Sequence, residues 1–459
     1  MKIIIAGAGR IGSTLTRVLS EEGHDVTVIE ENPDIIYQIS NTYDVICVEG
    51  NATIAETLRE AGAETADMLI AATEKDEVNM VCGISAKRLG TKDVIVRVRE
   101  TEYMNQREFL RDALGISLII NPEFECAKEI SRILRFPSAA RVEIFSKSNT
   151  ELVEHRVREN GKLDGIQLKD LEHVFKAKVL VGVVKRGGEV FVPNGDFILQ
   201  GGDTLEITGP SGEVRKFFIS AGEYRRPIKN TIIMGGGRIS VYLASLLIDS
   251  DIDVTVIEMD RAQCERFCEL VPKAHVICAD GTSNEVLLEE NIKKVGGFVA
   301  LTGDDGDNIV TSLYAAKCGV EKIVTKVNRD HYSDIIDKST LESLVTPKNV
   351  IAQQISRYVR AMDSSQTGGM ETLYRIADGK AEALEFKVGA GAKCIGVPLK
   401  DLKIRKNMII AAIIHGAKAH IPNGSSVIEE GDHVIVITAA GRLNDLDSII
   451  EEAAGGTTE

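Results

Sequence analysis

The opening run Met1–Gly12, an apolar strand entering a glycine-rich turn and then a helix, recurs halfway along the chain as Lys229–Ser240. A strand feeding a glycine turn at a helix N-terminus is how an α/β sheet prepares to hold nucleotide phosphate. The duplication continues well beyond the turn. Thr73, Asp76 and Asn79 return as Thr302, Asp305 and Asn308, and Asp203 returns as Asp432, at an offset of 229 residues, one more than the 228 between Gly7 and Gly235. Units of that length are too long for solenoid repeats, so the chain reads as a duplicated two-domain module.

Within the first half, β-rich runs alternate with helical patterns. Strands are expected at Lys2–Ala6, Asp25–Glu30, Val45–Val48, Met68–Ala72, Val94–Val98 and Leu118–Asn121. Helices are expected at Ile11–Glu22, Pro33–Ser40, Ala55–Ala61, Glu77–Leu89 and Thr101–Leu114. Such alternation gives a parallel sheet covered on both faces. A further helix, Glu123–Leu134, has a copy after Pro347, with Ile130-Ser-Arg132 recurring as Ile355-Ser-Arg357. It reads either as simple packing or as a crossover or hinge. The rest of each half is short strands between Gly, Pro and Asn turns, which indicates a small antiparallel subdomain. The expected fold is therefore α/β: two Rossmann-like doubly wound parallel-sheet domains, 1–136 and 228–363, each followed by a small α+β domain, 140–222 and 369–453. The linkers fall at Phe136–Ala140, Gly222–Lys229 and Ser364–Gly369.

Gly7-x-Gly9-x-x-Gly12 meets the full dinucleotide pattern, with Arg10 and Ile11 between the last two glycines. Gly7 serves the tight turn, Gly9 close backbone approach, and Gly12 helix-to-sheet packing. Asp25–Glu30 ends in a carboxylate at the distance where a ribose diol is accepted and the 2′-phosphate of NADP repelled, and the same six letters end at Glu258. The second copy keeps Gly235, Gly237 and Arg238 but has Ser240 in the third position. Asn51, Ala52 and Thr53, matched by Asp280 and Thr282, contact adenine or ribose on one reading and cap the following helix on the other. Thr73 and its copy Thr302 lie at a strand's carboxyl end and are candidates to line the cleft, whereas Asp76 is expected as a helix cap. Arg97 and Arg99 share one face by strand alternation. They either clamp a terminal phosphate or pair with nearby carboxylates. Lys326 and Asn328 stand at their second-copy positions, so if the ligands differ between the sites, the first should favour the more phosphorylated one.

Composition narrows the function. A net charge of -15 argues against broad nucleic-acid binding or adhesion to anionic lipid. The apolar runs are too short to span a bilayer, and the first residues read as a strand rather than a signal peptide. Eight cysteines contain no C-x-x-C pair; Cys264 and Cys268 share a helix face and read as two small core residues rather than half a metal site. The eight histidines are scattered, none at matching positions in the two halves. No catalytic or metal motif is evident.

The order of Gly7-x-Gly9-x-x-Gly12, Glu30, Asn51-Ala-Thr53 and Thr73-x-x-Asp76-x-x-Asn79, followed by a small domain with Leu168–Leu171, Pro193-Asn-Gly195 and Gly202-Asp203, resembles the RCK (regulator of potassium conductance) module, also called KTN. Two modules in one chain resemble the TrkA-like cytosolic subunits of Trk potassium-uptake systems, over essentially the whole length. That resemblance implies a ring, usually of four chains, on the inner face of the cell membrane beneath a TrkH/TrkG-like potassium-translocating subunit. It implies NAD(H) and/or ATP/ADP as regulatory ligands on Gly7, Gly9, Arg10, Gly12, Glu30, Asn51, Thr53, Thr73, Arg97 and Arg99. The second-copy positions are Gly235, Gly237, Arg238, Glu258, Asp280 and Thr302, with Ser240 and Asn328 departing from the first copy. No enzymatic activity and no nucleic-acid partner are expected. A soluble NAD-dependent oxidoreductase, or a nucleotide sensor with another partner, is the alternative.

Overall fold

The computed structural model describes residues 1–136, 141–145, 150–224, 228–329, 331–336, 340–341, 343–364, 369–416, 418–439, 441, 443 and 445–451. The expected linkers at 136–140, 222–229 and 364–369 each include residues outside that set. The chain divides into two compact units, Met1–Ser131 with Lys229–Ser356 and Arg132–Ile228 with Arg357–Glu459.

In the first unit, β1 (Lys2–Ala6), β2 (Asp25–Glu30), β3 (Ile46–Glu49), β4 (Met68–Ala71), β5 (Asp93–Arg97) and β6 (Leu118–Ile120) form a six-stranded sheet in the order 3-2-1-4-5-6. Every pair is parallel. Ile3, Ile4 and Ile5 are buried together, as a strand covered on both faces requires. The order reverses between β1 and β4, and ligands bind doubly wound sheets at the carboxyl ends of such a switch point. The second copy repeats this after the antiparallel strands of the first small sheet, β7 (Arg141–Phe145), β8 (Thr150–Arg156), β9 (Leu180–Arg186), β10 (Glu189–Phe191) and β11 (Thr204–Pro210). Its strands are β12 (Asn230–Met234), β13 (Asp253–Glu258), β14 (His275–Cys278), β15 (Gly297–Ala300), β16 (Lys322–Lys326) and β17 (Ser343–Val345), ordered 14-13-12-15-16-17.

The two parallel-sheet copies meet through helix Arg238–Ile248. Arg238 is ion-paired to Glu100 at 2.6 Å, the Tyr242 hydroxyl accepts from Asn121 Nδ2 at 3.3 Å, and the Tyr242 and Phe124 rings meet edge-on. One expected helix is two: Thr101–Asn105 and Arg107–Leu114 are separated at Gln106, whose φ and ψ of -109° and 14° leave the helical region.

In the second unit, β7–β11 form an antiparallel sheet ordered 10-9-11-8-7. β18 (Met370–Ile376), β19 (Ala381–Lys387), β20 (Met408–His415), β21 (Lys418–His420) and β22 (His433–Thr438) form its counterpart, ordered 18-19-22-20-21. The sheets share an apolar core in which Phe145, Leu152 and Val183 pack with Tyr374, Ala383 and Ile437. Their approach is close at Gly182, where an added Cβ would lie 2.3 Å from Ile437 Cδ1. Helices Pro122–Arg135 and Pro347–Ser364 each run through the point where the chain passes between units.

Candidate functional site

The glycine turn separates three physical demands. Gly7 has φ +91°, a conformation L side chains rarely adopt. A Cβ on Gly12 would lie 1.9 Å from the Gly7 carbonyl oxygen, so the helix can sit this close only without a side chain. Gly9 has an ordinary φ of -62°, and a Cβ there would meet nothing within 4 Å. The protein's own packing therefore gives no reason for glycine at position 9. Gly237 is alike, with φ -69° and open space around its Cβ position. Neither helix that follows has a side-chain cap, which leaves its first N–H groups for another acceptor. Ser240, where Gly12 stands in the first copy, is fully buried and its hydroxyl donates to the Gly235 carbonyl at 2.5 Å. The third glycine is thus replaced by a hydrogen bond to the oxygen it would otherwise have to avoid.

Glu30 is held in place by backbone. Its Oε2 accepts from Ala8 N at 2.7 Å and its Oε1 from Glu31 N and Asn32 N at 3.0 and 3.1 Å. A carboxylate has about four acceptor sites, so a ribose hydroxyl would share this oxygen pair with the turn. Glu258 accepts from Gly236 N at 2.6 Å and Asp260 N at 2.8 Å.

The polar loops are internally organised. Asn51 Oδ1 accepts from Thr53 N and Oγ1 at 2.8 and 2.6 Å, and Asp280 does the same for Thr282 at 2.9 and 2.7 Å. The Thr282 hydroxyl, then its amide, hold the Asp280 carboxyl below its usual range. Buried Asn79 accepts from Thr73 N and Oγ1 at 2.8 and 2.7 Å and donates to the Arg97 carbonyl at 3.0 Å, locking the end of β4 to the end of β5. Thr302 and Asn308 repeat the arrangement. Asp76 corrects the expectation of a helix cap: the helix begins at Asp76, and its carboxylate accepts from Arg99 N and Glu100 N, both at 2.8 Å. Asp305 likewise accepts from Asn328 N and Arg329 N, while Asp304 is the actual cap.

These elements open on one cavity of about 1320 Å³, beyond the ~300–1,000 Å³ usual for small-molecule sites. Gly7, Gly9, Arg10, Ile11, Glu30, Asn51, Ala52, Thr73, Arg97 and Arg99 line it; Gly12 and Thr53 do not. Gly237, Arg238, Ser240, Lys326 and Asn328 line the same cavity from the second copy, without Gly235, Glu258, Asp280 or Thr302. The sequence treats the two sites as separate; packing of the copies brings the two glycine turns to a common space.

Its cations differ in freedom. Arg97 donates to the Thr73 carbonyl at 3.0 Å, while its buried Nε has no hydrogen-bond partner. Burial lowers its pKa. Arg99 donates to Glu123 Oε1 at 2.8 Å, the carboxylate pairing that stood as the alternative to a phosphate clamp. Lys326, pushed down by burial and then by repulsion from Arg10 against the pull of Cys126 and Asp305, approaches the Leu301 carbonyl at 3.4 Å. Its place on the same cavity as Arg10 and Arg97 is invisible in the sequence, because it depends on how the copies dock.

Relatives share this organisation along the whole chain. The TrkA-N domain model matches residues 3–122 and 231–347, and the TrkA-C domain model matches 152–222 and 383–451. A Trk system potassium uptake protein TrkA homolog of Archaeoglobus fulgidus is 31% identical over 450 residues, covering 98% of this chain and 100% of its own. The Trk system potassium uptake protein TrkA of Vibrio alginolyticus is 29% identical over 461 residues, covering 98% and 99%. The GsuK channel bound to NAD superposes with a TM-score of 0.62 at 20% identity, over 96% of this chain and 77% of that one; at that identity the likeness speaks for the fold. The named relatives are potassium uptake proteins. With both domain types matched twice in order and one relative 31% identical from end to end, this chain belongs to the TrkA family of Trk-system potassium uptake proteins.

Proposed function

We propose that the chain is the nucleotide-sensing regulatory subunit of a potassium-uptake system, with NAD(H) and/or ATP/ADP bound in the shared cavity. The observation that carries the ligand reading is Gly9: its backbone is ordinary and the space beside it empty, so what requires glycine is something that approaches from the cavity. A pyrophosphate on the uncapped helix start is that kind of ligand. Arg97, Arg10 and Lys326 supply the opposing charge, and Glu30 meets the ribose. The division into domains at 1–136, 140–222, 228–363 and 369–453 belongs to the same reading, as do a homotetrameric ring and a cytoplasmic position at the membrane through a TrkH/TrkG-like partner. Among the described residues no helix is long and apolar enough to cross a membrane. The nucleotide regulates by binding one conformation of the ring better than another, and about 1–3 kcal/mol of coupling suffices.

Titration of NADH with the purified chain, followed by nicotinamide emission, tests the reading. The chain has no tryptophan, so protein emission interferes little. Saturable binding with a signal constant over time, displaced by ADP or ATP, is expected. Absence of binding by NADH, ADP and ATP alike, or steady consumption of NADH, would overturn it.

A further inference from the structure

The second parallel-sheet copy carries two thiols beside the Glu258 turn, at positions where the first copy has none. Cys264 lies in the first turns of helix Arg261–Leu270, and Cys278 ends β14 as the register partner of Glu258. In the first copy the corresponding positions are Ile36 and Glu49. Cys264 is buried and its Sγ donates to the Glu258 carbonyl at 3.3 Å. Cys278 is exposed and its Sγ points to the next carbonyl, that of Met259, at 4.0 Å. Two thiols on the carbonyls of consecutive residues are neighbours, and they interact directly. Cys268 is exposed one turn further along the helix.

We propose that Cys264 and Cys278 are a reversible modification site, oxidised by peroxide to a disulfide that ties helix Arg261–Leu270 to the end of β14. Burial first, then the contact with Cys278, pushes the Cys264 thiol up to about 12, so it stays protonated and shielded. Exposed Cys278 meets the oxidant. Its sulfur takes oxygen from hydrogen peroxide, releasing one water and forming a sulfenic acid; the Cys264 sulfur then displaces hydroxide from it, and a second water leaves with the Cys264 proton. The two sulfurs together give up two electrons, and the peroxide is reduced to two waters. Bond formation takes the Cys264 sulfur off the Glu258 carbonyl. It also constrains a helix whose cap Asp260 and whose Gln263 line the cavity. The bearing on ligand affinity rests on the nucleotide reading; the existence of the disulfide does not.

The test is peptide mapping of the full chain. Reduced protein is exposed to hydrogen peroxide, free thiols are alkylated, and the protein is digested without reductant. The expected product links the Cys264 and Cys278 peptides and is lost on treatment with dithiothreitol. Cys268→Ser should leave it unchanged, and Cys264→Ser should drive Cys278 to sulfinic acid. A link from Cys278 to Cys268, Cys278 oxidised beyond sulfenic acid in the wild-type chain while Cys264 is alkylated, or both thiols alkylated, would each overturn the proposal. The wild-type map decides without reliance on any variant's folding.

Discussion

Gly9 and Gly12 look equivalent in a motif and are opposite in the structure. A side chain at Gly9 enters open space, so Gly9→Val should leave the thermal midpoint nearly unchanged while NADH affinity falls at least tenfold; retained affinity would remove the turn from the site. A side chain at Gly12 collides with the Gly7 carbonyl at 1.9 Å. Overpacking of this kind costs about 1–3 kcal/mol or more, so Gly12→Val should lower the midpoint by several degrees. Gly12→Ser should be milder, because Ser240 already shows the hydroxyl turned onto that oxygen. Among the cations, Arg99 is committed to Glu123 and Arg97 keeps a buried Nε without a hydrogen-bond partner. Losing a hydrogen bond to a charged group costs about 1.5–3 kcal/mol. Arg97→Ala should therefore weaken ATP roughly ten- to a hundredfold, and more than NADH. Equal losses for the two ligands would argue against a phosphate contact, and an equal effect from Arg99→Ala would argue against the difference drawn between the arginines.

Elements are tied at their ends by small polar clasps, and one of them titrates. Asp67 accepts from Lys2 N at 2.8 Å and from Lys92 Nζ at 2.7 Å, joining the starts of β1, β4 and β5. The Lys92 ammonium, then the Lys2 amide, hold its carboxyl below the usual range. A carboxyl with a lower pKa folded than unfolded stabilises at pH above the unfolded value, ~3.9 for Asp, and this contribution is lost as pH falls through the folded value. The stability gap between wild type and Asp67→Asn, read from urea unfolding, should therefore be present at neutral pH and close on acidification; a gap independent of pH would discount the clasp. At this scale much was legible in the sequence. The unbroken apolar run Ile3–Ile5 locates a strand because it is buried on both faces, and the repeated β-branched run Asp25–Glu30 locates another. The break at Gln106 was not legible, since neither glycine nor proline marks it. Nor was the role of Asp76, whose acceptors' partners lie 23 and 24 residues away at the end of β5. The shared cavity was hidden for the same reason: it depends on the contact of helix Arg238–Ile248 with Glu100, Asn121 and Phe124 of the first copy, which no local pattern encodes.

For the molecule as a whole, each half of the repeat leaves work for the other. The small sheets bury Phe145 and Leu152 against Tyr374 and Ile437, and the parallel-sheet copies meet at Tyr242, Asn121 and Glu100. Residues 1–228 and 229–459 expressed together as separate chains should co-purify through a tag on either one; recovery of each half alone would show that these contacts do not hold the halves. The covalent join has a further consequence. In a dimer of identical modules, any substitution at the two-fold seam is made on both sides at once, so the facing walls of a cleft there must stay identical. Writing both modules into one reading frame lifts that constraint. One wall has Arg97 and Arg99 where the other has Lys326 and Asn328, and a buried carboxylate held by a permanent guanidinium at Asp203 is held by an imidazole at Asp432. The strand order is kept in both copies, while their side chains are free to diverge into unequal tasks.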